Sequence, residues 1–261
     1  MDTAPPEATS HATARASELD SIADGPAATT RVGVIVPHDM ALDAELWRWT
    51  PADVSLHITR EPYLSMPLSL EMTMQLGDND VLADCARGLL AISPGSCAYA
   101  CTSGSFSRGL AAEQSMVQAM TDTGIAHAFT TSGALLAALE ALSVQRVAVG
   151  TPYDGAITER LGAYLAEAGV DVVGSSHLGL DADIWTVPYA RTAELVRTAD
   201  TPEADAIFLS CTNLPTYDLI APLEKEIGKP VITANQVTMW QALRLVERRC
   251  VGAGQHLLEA A

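Results

Sequence analysis

From Arg31 onward, short apolar runs alternate with longer amphipathic stretches. Val32–Val36, Val54–Thr59, Ser96–Ala100 and Ala126–Thr130 are runs of four to seven residues bounded by polar, glycine or proline positions. Such runs read as buried strands. Between them, Leu68–Leu90, Ala111–Thr123 and Ala134–Leu142 carry apolar residues at helical spacing. The first of these breaks around Gly77-Asp78-Asn79-Asp80. The pattern then restarts. Arg146-Val147-Ala148-Val149-Gly150-Thr151-Pro152 repeats the Arg-Val-small-Val-x-x-Pro order of Arg31–Pro37. Helices over 157–168, 191–198, 219–227 and 236–246 alternate with strands over 170–175, 206–210 and 231–233.

Strands alternating with helices predict an α/β fold whose parallel sheets are covered by helices on both faces. The restart predicts two pseudo-symmetric halves, 31–143 and 144–261, with part of the C-terminal helix packing on the first half. Residues 1–30 are rich in Ala, Thr, Ser, Pro and acidic residues and lack apolar periodicity, which predicts a disordered tail. Its alanines would support at most a short helix around Ala12–Leu19.

The repeat also carries chemistry. Cys101 lies seventy residues after Arg31, and Cys211 sixty-five after Arg146. Each ends an apolar run and is followed by small residues, Thr102-Ser103-Gly104-Ser105 and Thr212-Asn213. A recurring motif with a cysteine at nearly the same offset points to an ancient duplication. Ligands bind at the carboxyl ends of parallel strands, so the two thiols are expected to face each other across an interdomain cleft. A thiol is a nucleophile or base only as thiolate, which backbone N–H groups favour. Other strand-end residues join them as candidates. Tyr153 follows Thr151-Pro152 and has a phenol to offer a carboxylate; it would otherwise pack on the sheet edge. Thr131-Ser132-Gly133 and Asn235-Gln236 read equally as helix caps or as carboxylate-binding groups.

Composition narrows the partners. The 261-residue chain has a formal net charge of −17. That acidity argues against nucleic acid and anionic membranes, but a pocket can still bind an anion through backbone N–H groups. The five cysteines include no Cys-x-x-Cys pair, and an odd count without a signal pattern points to free thiols in a reducing cytoplasm. Cys85, Cys97 and Cys250 read as buried, inert side chains. The six histidines are scattered, and neither metal-ligand spacing, a phosphate-binding glycine loop nor a Gly-x-Ser-x-Gly elbow is present. Cofactor-free thiol chemistry is the simplest expectation.

Gly33-Val34-Ile35-Val36-Pro37, Ala100-Cys101-Thr102-Ser103-Gly104, Thr131-Ser132 with Ala134, Thr151-Pro152-Tyr153, Leu209-Ser210-Cys211-Thr212-Asn213 and Thr233-Ala234-Asn235-Gln236 together resemble the aspartate/glutamate racemase superfamily. Within it they resemble the branch of maleate cis-trans isomerases and arylmalonate decarboxylases. The resemblance implies an active site between two α/β halves, no cofactor, and a homodimer. In the isomerases the cysteine matching Cys101 attacks C2 of the cis double bond, and the one matching Cys211 handles the proton at the other carbon. In the racemases the two thiols act as base and acid on opposite faces of Cα. The residue matching Tyr153 binds a carboxylate. The decarboxylases usually lack the first cysteine, so both thiols here favour the isomerase reading.

Two departures stand against it. The isomerases usually carry Pro-Ser-Ser-Asn after the first strand, where this chain has Pro37-His38-Asp39-Met40. A second substrate-binding asparagine is replaced near Ala182-Asp183. Carboxylates in place of amides favour a substrate bearing an amine or hydroxyl. The expected function is isomerisation of a small dicarboxylate, with a two-thiol racemase or epimerase and a decarboxylase-like lyase as alternatives. A non-enzymatic small-molecule binder is less favoured, because binding alone needs no thiols.

Overall fold

The computed structural model describes residues 29–252 and 254–259. The expected tail and its short helix lie almost wholly outside these residues. Two four-stranded parallel sheets with helices against them form the core, as the alternating pattern predicts. The first contains β1 (Thr30–Val36), β2 (Val54–Arg60), β3 (Ser96–Tyr99) and β4 (Ala128–Thr130), in the order β2-β1-β3-β4. The second contains β5 (Arg146–Thr151), β6 (Asp171–His177), β7 (Ala206–Leu209) and β8 (Val231–Thr233), in the order β6-β5-β7-β8. The two orders are identical. The repeated Arg-Val motif forms β1 and β5, each flanked on both sides by partners. Five consecutive residues of β1 are buried, as a strand covered on both faces requires.

Helices run between the strands: α1 (Asp43–Trp47), α2 (Leu70–Gln75), α3 (Asn79–Leu89), α4 (Thr102–Phe106), α5 (Leu110–Thr121), α6 (Thr131–Ala141), α7 (Gly155–Glu167), α8 (Tyr189–Ala199), α9 (Ile220–Ile227), α10 (Ala234–Arg244) and α11 (His256–Glu259). The predicted break in 68–90 separates α2 from α3, and Asp78 caps α3 through the amides of Asp80 and Val81. The cap of α6 is Thr130, whose hydroxyl accepts the Gly133 N–H, so Thr131 and Ser132 lie inside the first turn. Likewise Thr233, not Asn235, caps α10, in a reciprocal capping box with Gln236. The pattern did not reveal α1, α4 or α11. Five residues or fewer give too little periodicity to read.

The seam between the sheets is polar and built from buried groups. Helix α10 leaves the second sheet and packs along α6 and β3. The Asn213 amide donates to the Asp39 carbonyl and accepts the Ala41 N–H, both at 2.8 Å. Glu45, on α1, is buried and accepts from the Thr216 N–H, the Thr216 hydroxyl and the Tyr217 N–H. Trp49 donates to Gln255, which also accepts from Gln236. The Arg48–Asp218 ion pair lies at the surface, where such pairs contribute little.

Replacing Glu45 tests the seam. Glu45→Ala would leave three donors without their acceptor, and buried unsatisfied groups cost about 1–3 kcal/mol each. Chemical denaturation is expected to show a loss of about 2–4 kcal/mol. Glu45→Gln keeps an acceptor oxygen, and a much smaller loss is expected.

Candidate functional site

Four of the strands that carry candidate residues bring them to one place from their carboxyl ends. Pro37 follows β1, Cys101 follows β3, Tyr153 follows β5 and Cys211 follows β7. β3 and β7 occupy the same position in their sheets, so the two cysteines are topological equivalents. The structure brings both to one small cavity of about 30 Å³. Pro37, Asp39, Thr102, Ser103, Tyr153, Thr212 and Asn213 share its wall, together with Leu68, Met72, Leu76 and Ile184. Space of that size holds about two waters. The cavity adjoins an outer chamber of about 180 Å³ that shares Asp39, Leu68, Met72, Ile184 and Asn213 with it. Asp183, Asp181, His38 and the exposed Trp185 complete the outer wall.

The remaining sequence candidates sit one layer back. Thr131 exchanges a hydroxyl hydrogen bond with Thr238, and Ser132 with Ser105. The Asn235 amide donates to the Thr212 carbonyl, bracing the loop that carries Cys211. Met40 is buried behind the Asp39 loop. Asn213 spends its amide on that same loop, although its surface reaches the cavity. Thr131, Ser132 and Asn235 are engaged with neighbouring groups and do not line the cavity. Thr102 does carry a buried hydroxyl without a hydrogen-bond partner, and it lines the cavity.

Both thiols are buried, and burial is the main force holding them neutral. The Cys211 thiol is pushed up to about 12, an effect that the Tyr153 hydroxyl and the backbone N–H groups of Asn213 and Leu214 offset in part. The Asn213 N–H lies 3.3 Å from Cys211 Sγ. Cys211 also has φ +90°, a conformation that costs a side-chain-bearing residue about 1–3 kcal/mol. In this conformation Cys211 lines the cavity. Burial raises Cys101 further, with the charge of Glu61 as the second cause; the Gly104 N–H and the Tyr99 hydroxyl pull the other way.

Sequence reasoning missed the apolar wall residues Leu68, Met72, Leu76 and Ile184, and also Glu61 and Tyr99 beside Cys101. Glu61 follows the carboxyl end of β2, the same strand-end rule that singled out the cysteines, and this was the available signal. Tyr99 sits inside an apolar strand and reads as core. The structure buries both. The Tyr99 hydroxyl donates to Glu61 Oε2 at 2.9 Å, and the Gly77 N–H donates to Glu61 Oε1 at 2.8 Å. Burial nevertheless pushes the Glu61 carboxyl up to about 7. Gly104 is required where these groups converge. A Cβ there would overlap the Tyr99 hydroxyl and come within 3.1 Å of Cys101 Sγ. Gly104→Ala is therefore expected to slow alkylation of Cys101 by at least tenfold, as ~1.4 kcal/mol of displacement already gives that factor, measured by peptide mapping after timed iodoacetamide treatment.

A larger cleft of about 520 Å³ lies near α10, lined by Trp240, Arg244, Arg248 and Cys250, and neither paired thiol reaches it.

Comparison with known proteins places this geometry. A family model described as arylmalonate decarboxylase matches residues 63–258. The arylmalonate decarboxylase of Bordetella bronchiseptica is 32% identical over 227 residues, covering 84% of this chain and 91% of that protein. The maleate isomerase of Nocardia farcinica is 27% identical over 231 residues, covering 83% and 90%. Among solved structures, a liganded double variant of arylmalonate decarboxylase superposes with a TM-score of 0.82 at 29% identity, covering 89% of this chain and all of that one. A cysteine-to-serine variant of the Nocardia farcinica maleate cis-trans isomerase, holding a covalently bound succinylcysteine intermediate, gives 0.80 at 26% identity, covering 88% and 99%. Fold, strand-end thiols and sequence agree: the chain belongs to the arylmalonate decarboxylase family, whose fold it shares with the maleate isomerases.

Proposed function

We propose that this protein isomerises the cis double bond of a small unsaturated dicarboxylate, using Cys101 as nucleophile and Cys211 as acid and base. The observation that carries the reading is the pair of buried thiols, on equivalent strand ends, lining one cavity. A decarboxylation that needs one proton donor does not require the second thiol. The related isomerase that traps a succinylcysteine when one cysteine becomes serine supports addition by the other cysteine.

In this reading the Cys101 thiolate adds to C2 of the cis acid while Cys211 gives its proton to C3. A carbon–sulfur bond forms, the double bond becomes single, and rotation about it swings the two carboxylates apart. Cys211 then removes the C3 proton as the carbon–sulfur bond breaks. The trans acid leaves, and both thiols return to their starting state. The Thr102 hydroxyl and the Tyr153 phenol are the side-chain donors at hand for the carboxylates. Ser103 and Thr212 add wall groups beside them. The two cysteines need not ionise together. Each is held neutral by burial, so only one negative charge is created at a time.

A second reading rests on the outer chamber. Asp39, Asp181 and Asp183 line it, and among the described residues neither Lys nor Arg lines either chamber. That rim favours a substrate carrying an amine or hydroxyl, on which the same two thiols would exchange a Cα proton.

Incubation with maleate in D₂O, followed by proton NMR, separates the two. Appearance of fumarate is expected. A silent maleate sample, with solvent deuterium entering Cα of an amino or hydroxy acid, would replace the first reading with the second, and release of carbon dioxide from an arylmalonate would replace both with a lyase.

Cysteine replacement gives the next test. Cys101→Ser is expected to abolish turnover. Cys211→Ser is expected to lower kcat by about 10²–10⁴-fold, the range for loss of a general acid or base. Intact mass should show that variant one substrate heavier, on the Cys101 peptide; full turnover in either variant would sink the mechanism.

A further inference from the structure

Glu61 has no place in the reaction just described, yet among the described residues it is the buried carboxylate joined to Cys101 through Tyr99. We propose that Glu61 is the internal proton acceptor for Cys101, reached through the Tyr99 hydroxyl. The inference rests on Cys101 being the reacting thiol of the proposed function.

The geometry forms a chain of three groups. Glu61 Oε2 accepts from the Tyr99 hydroxyl at 2.9 Å, and that hydroxyl lies beside Cys101 Sγ over the bare Cα of Gly104. All three are buried, Tyr99 completely. The carboxylate is positioned from its other side by the Gly77 N–H, and the Gly77 carbonyl accepts from Arg108. The groups facing Glu61 are Asp39 and Arg108 by charge, Cys85 on α3, and Tyr99 and Cys101. Of the acids among them, only Glu61 bonds to the phenol.

The transfer balances within the protein. The Cys101 S–H bond breaks and its proton passes to the Tyr99 oxygen. The Tyr99 O–H bond breaks and its proton passes to Glu61 Oε2. The S–H electron pair stays on sulfur, and one negative charge moves from carboxylate to thiolate. Tyr99 then donates to the thiolate, and the newly protonated Glu61 donates to Tyr99. Elimination of product regenerates the thiolate, which reclaims the proton by the reverse path. Two features of the site call for such a route. Cys101 is itself almost fully buried, so its proton has little direct contact with water. Two anions side by side in a buried site would each oppose the other, whereas moving one charge keeps the count at one.

The role is one of positioning a proton, so its signature is a pH profile. Once Glu61 is ionised, the thiol and carboxyl share a single proton, and the thiolate fraction no longer depends on pH. Timed alkylation of Cys101 by iodoacetamide, read by peptide mapping, is therefore expected to change less than about threefold between about pH 7.5 and 9. In Glu61→Gln the hydrogen bonds from Gly77 and Tyr99 can persist, but the shared proton is gone. The rate should then climb about tenfold per pH unit across that window, as for any thiol below its pKa. Parallel profiles in the two proteins would overturn the proposal. Should the glutamine variant fail to fold, the unmodified protein still decides, because a rate climbing tenfold per unit through the window has no shared proton behind it. Tyr99→Phe is a second variant, expected to slow alkylation about tenfold or more at every pH by removing the thiolate's donor; an unchanged rate would overturn the phenol route. Alkylation does not depend on the substrate. A flat profile that Glu61→Gln abolishes, with no turnover of maleate, would leave the relay standing and remove the isomerase reading; turnover of maleate with parallel profiles would do the reverse.

Discussion

The seam between the two sheets is the constraint on which the rest depends. Parallel strands release their chains at one edge, and each half ends its β3 or β7 at that edge in a cysteine. Neither half holds a cavity with two thiols. The cavity exists because Asn213 clasps the Asp39–Ala41 backbone and Glu45 gathers the Thr216–Tyr217 turn, fixing one strand-end loop against the other. Those contacts use buried hydrogen-bonding groups, which tolerate little displacement because an unmet donor costs about 1–3 kcal/mol. The seam is therefore the element that sets the distance between the thiols.

The same burial that makes the cavity selective works against its chemistry. It holds both thiols neutral and lifts Glu61 to about 7. Hydrogen bonds from Gly104, Tyr153, Asn213 and Leu214 are the counterweight at the sulfurs, and the Tyr99 hydroxyl beside Cys101 adds to it. On a chain with a net charge of −17, a site of this kind gains little from long-range attraction of an anion. Recognition has to come from short-range donors, and the partnerless Thr102 hydroxyl is one of them. The outer chamber, by contrast, is lined by Asp39, Asp181 and Asp183, which leaves the substrate a separate question from the thiol pair.

The duplication, the alternation of parallel strands with helices and the two cysteines were legible in the sequence. Each depends on a local signal: period-2 or period-3.6 apolar patterning, the repeated Arg-Val motif, and a reactive residue type at a strand end. Thr131, Ser132 and Asn235 were legible only as residues of the right kind near the right edge. The sequence cannot say which side of a loop a hydroxyl faces, and the structure turns all three toward neighbouring backbone or side chains. Glu61 and Tyr99 lay outside that reading for a further reason. They are separated by 38 positions, and their partnership with Cys101 arises only when β2 and β3 pair on either side of β1. Local sequence thus determined which residues would reach the carboxyl edge of each sheet, because patterning dictates the strands. Tertiary structure alone decided which of them share a cavity, a proton or a hydrogen bond, because those depend on distances across the sheets that no local pattern encodes.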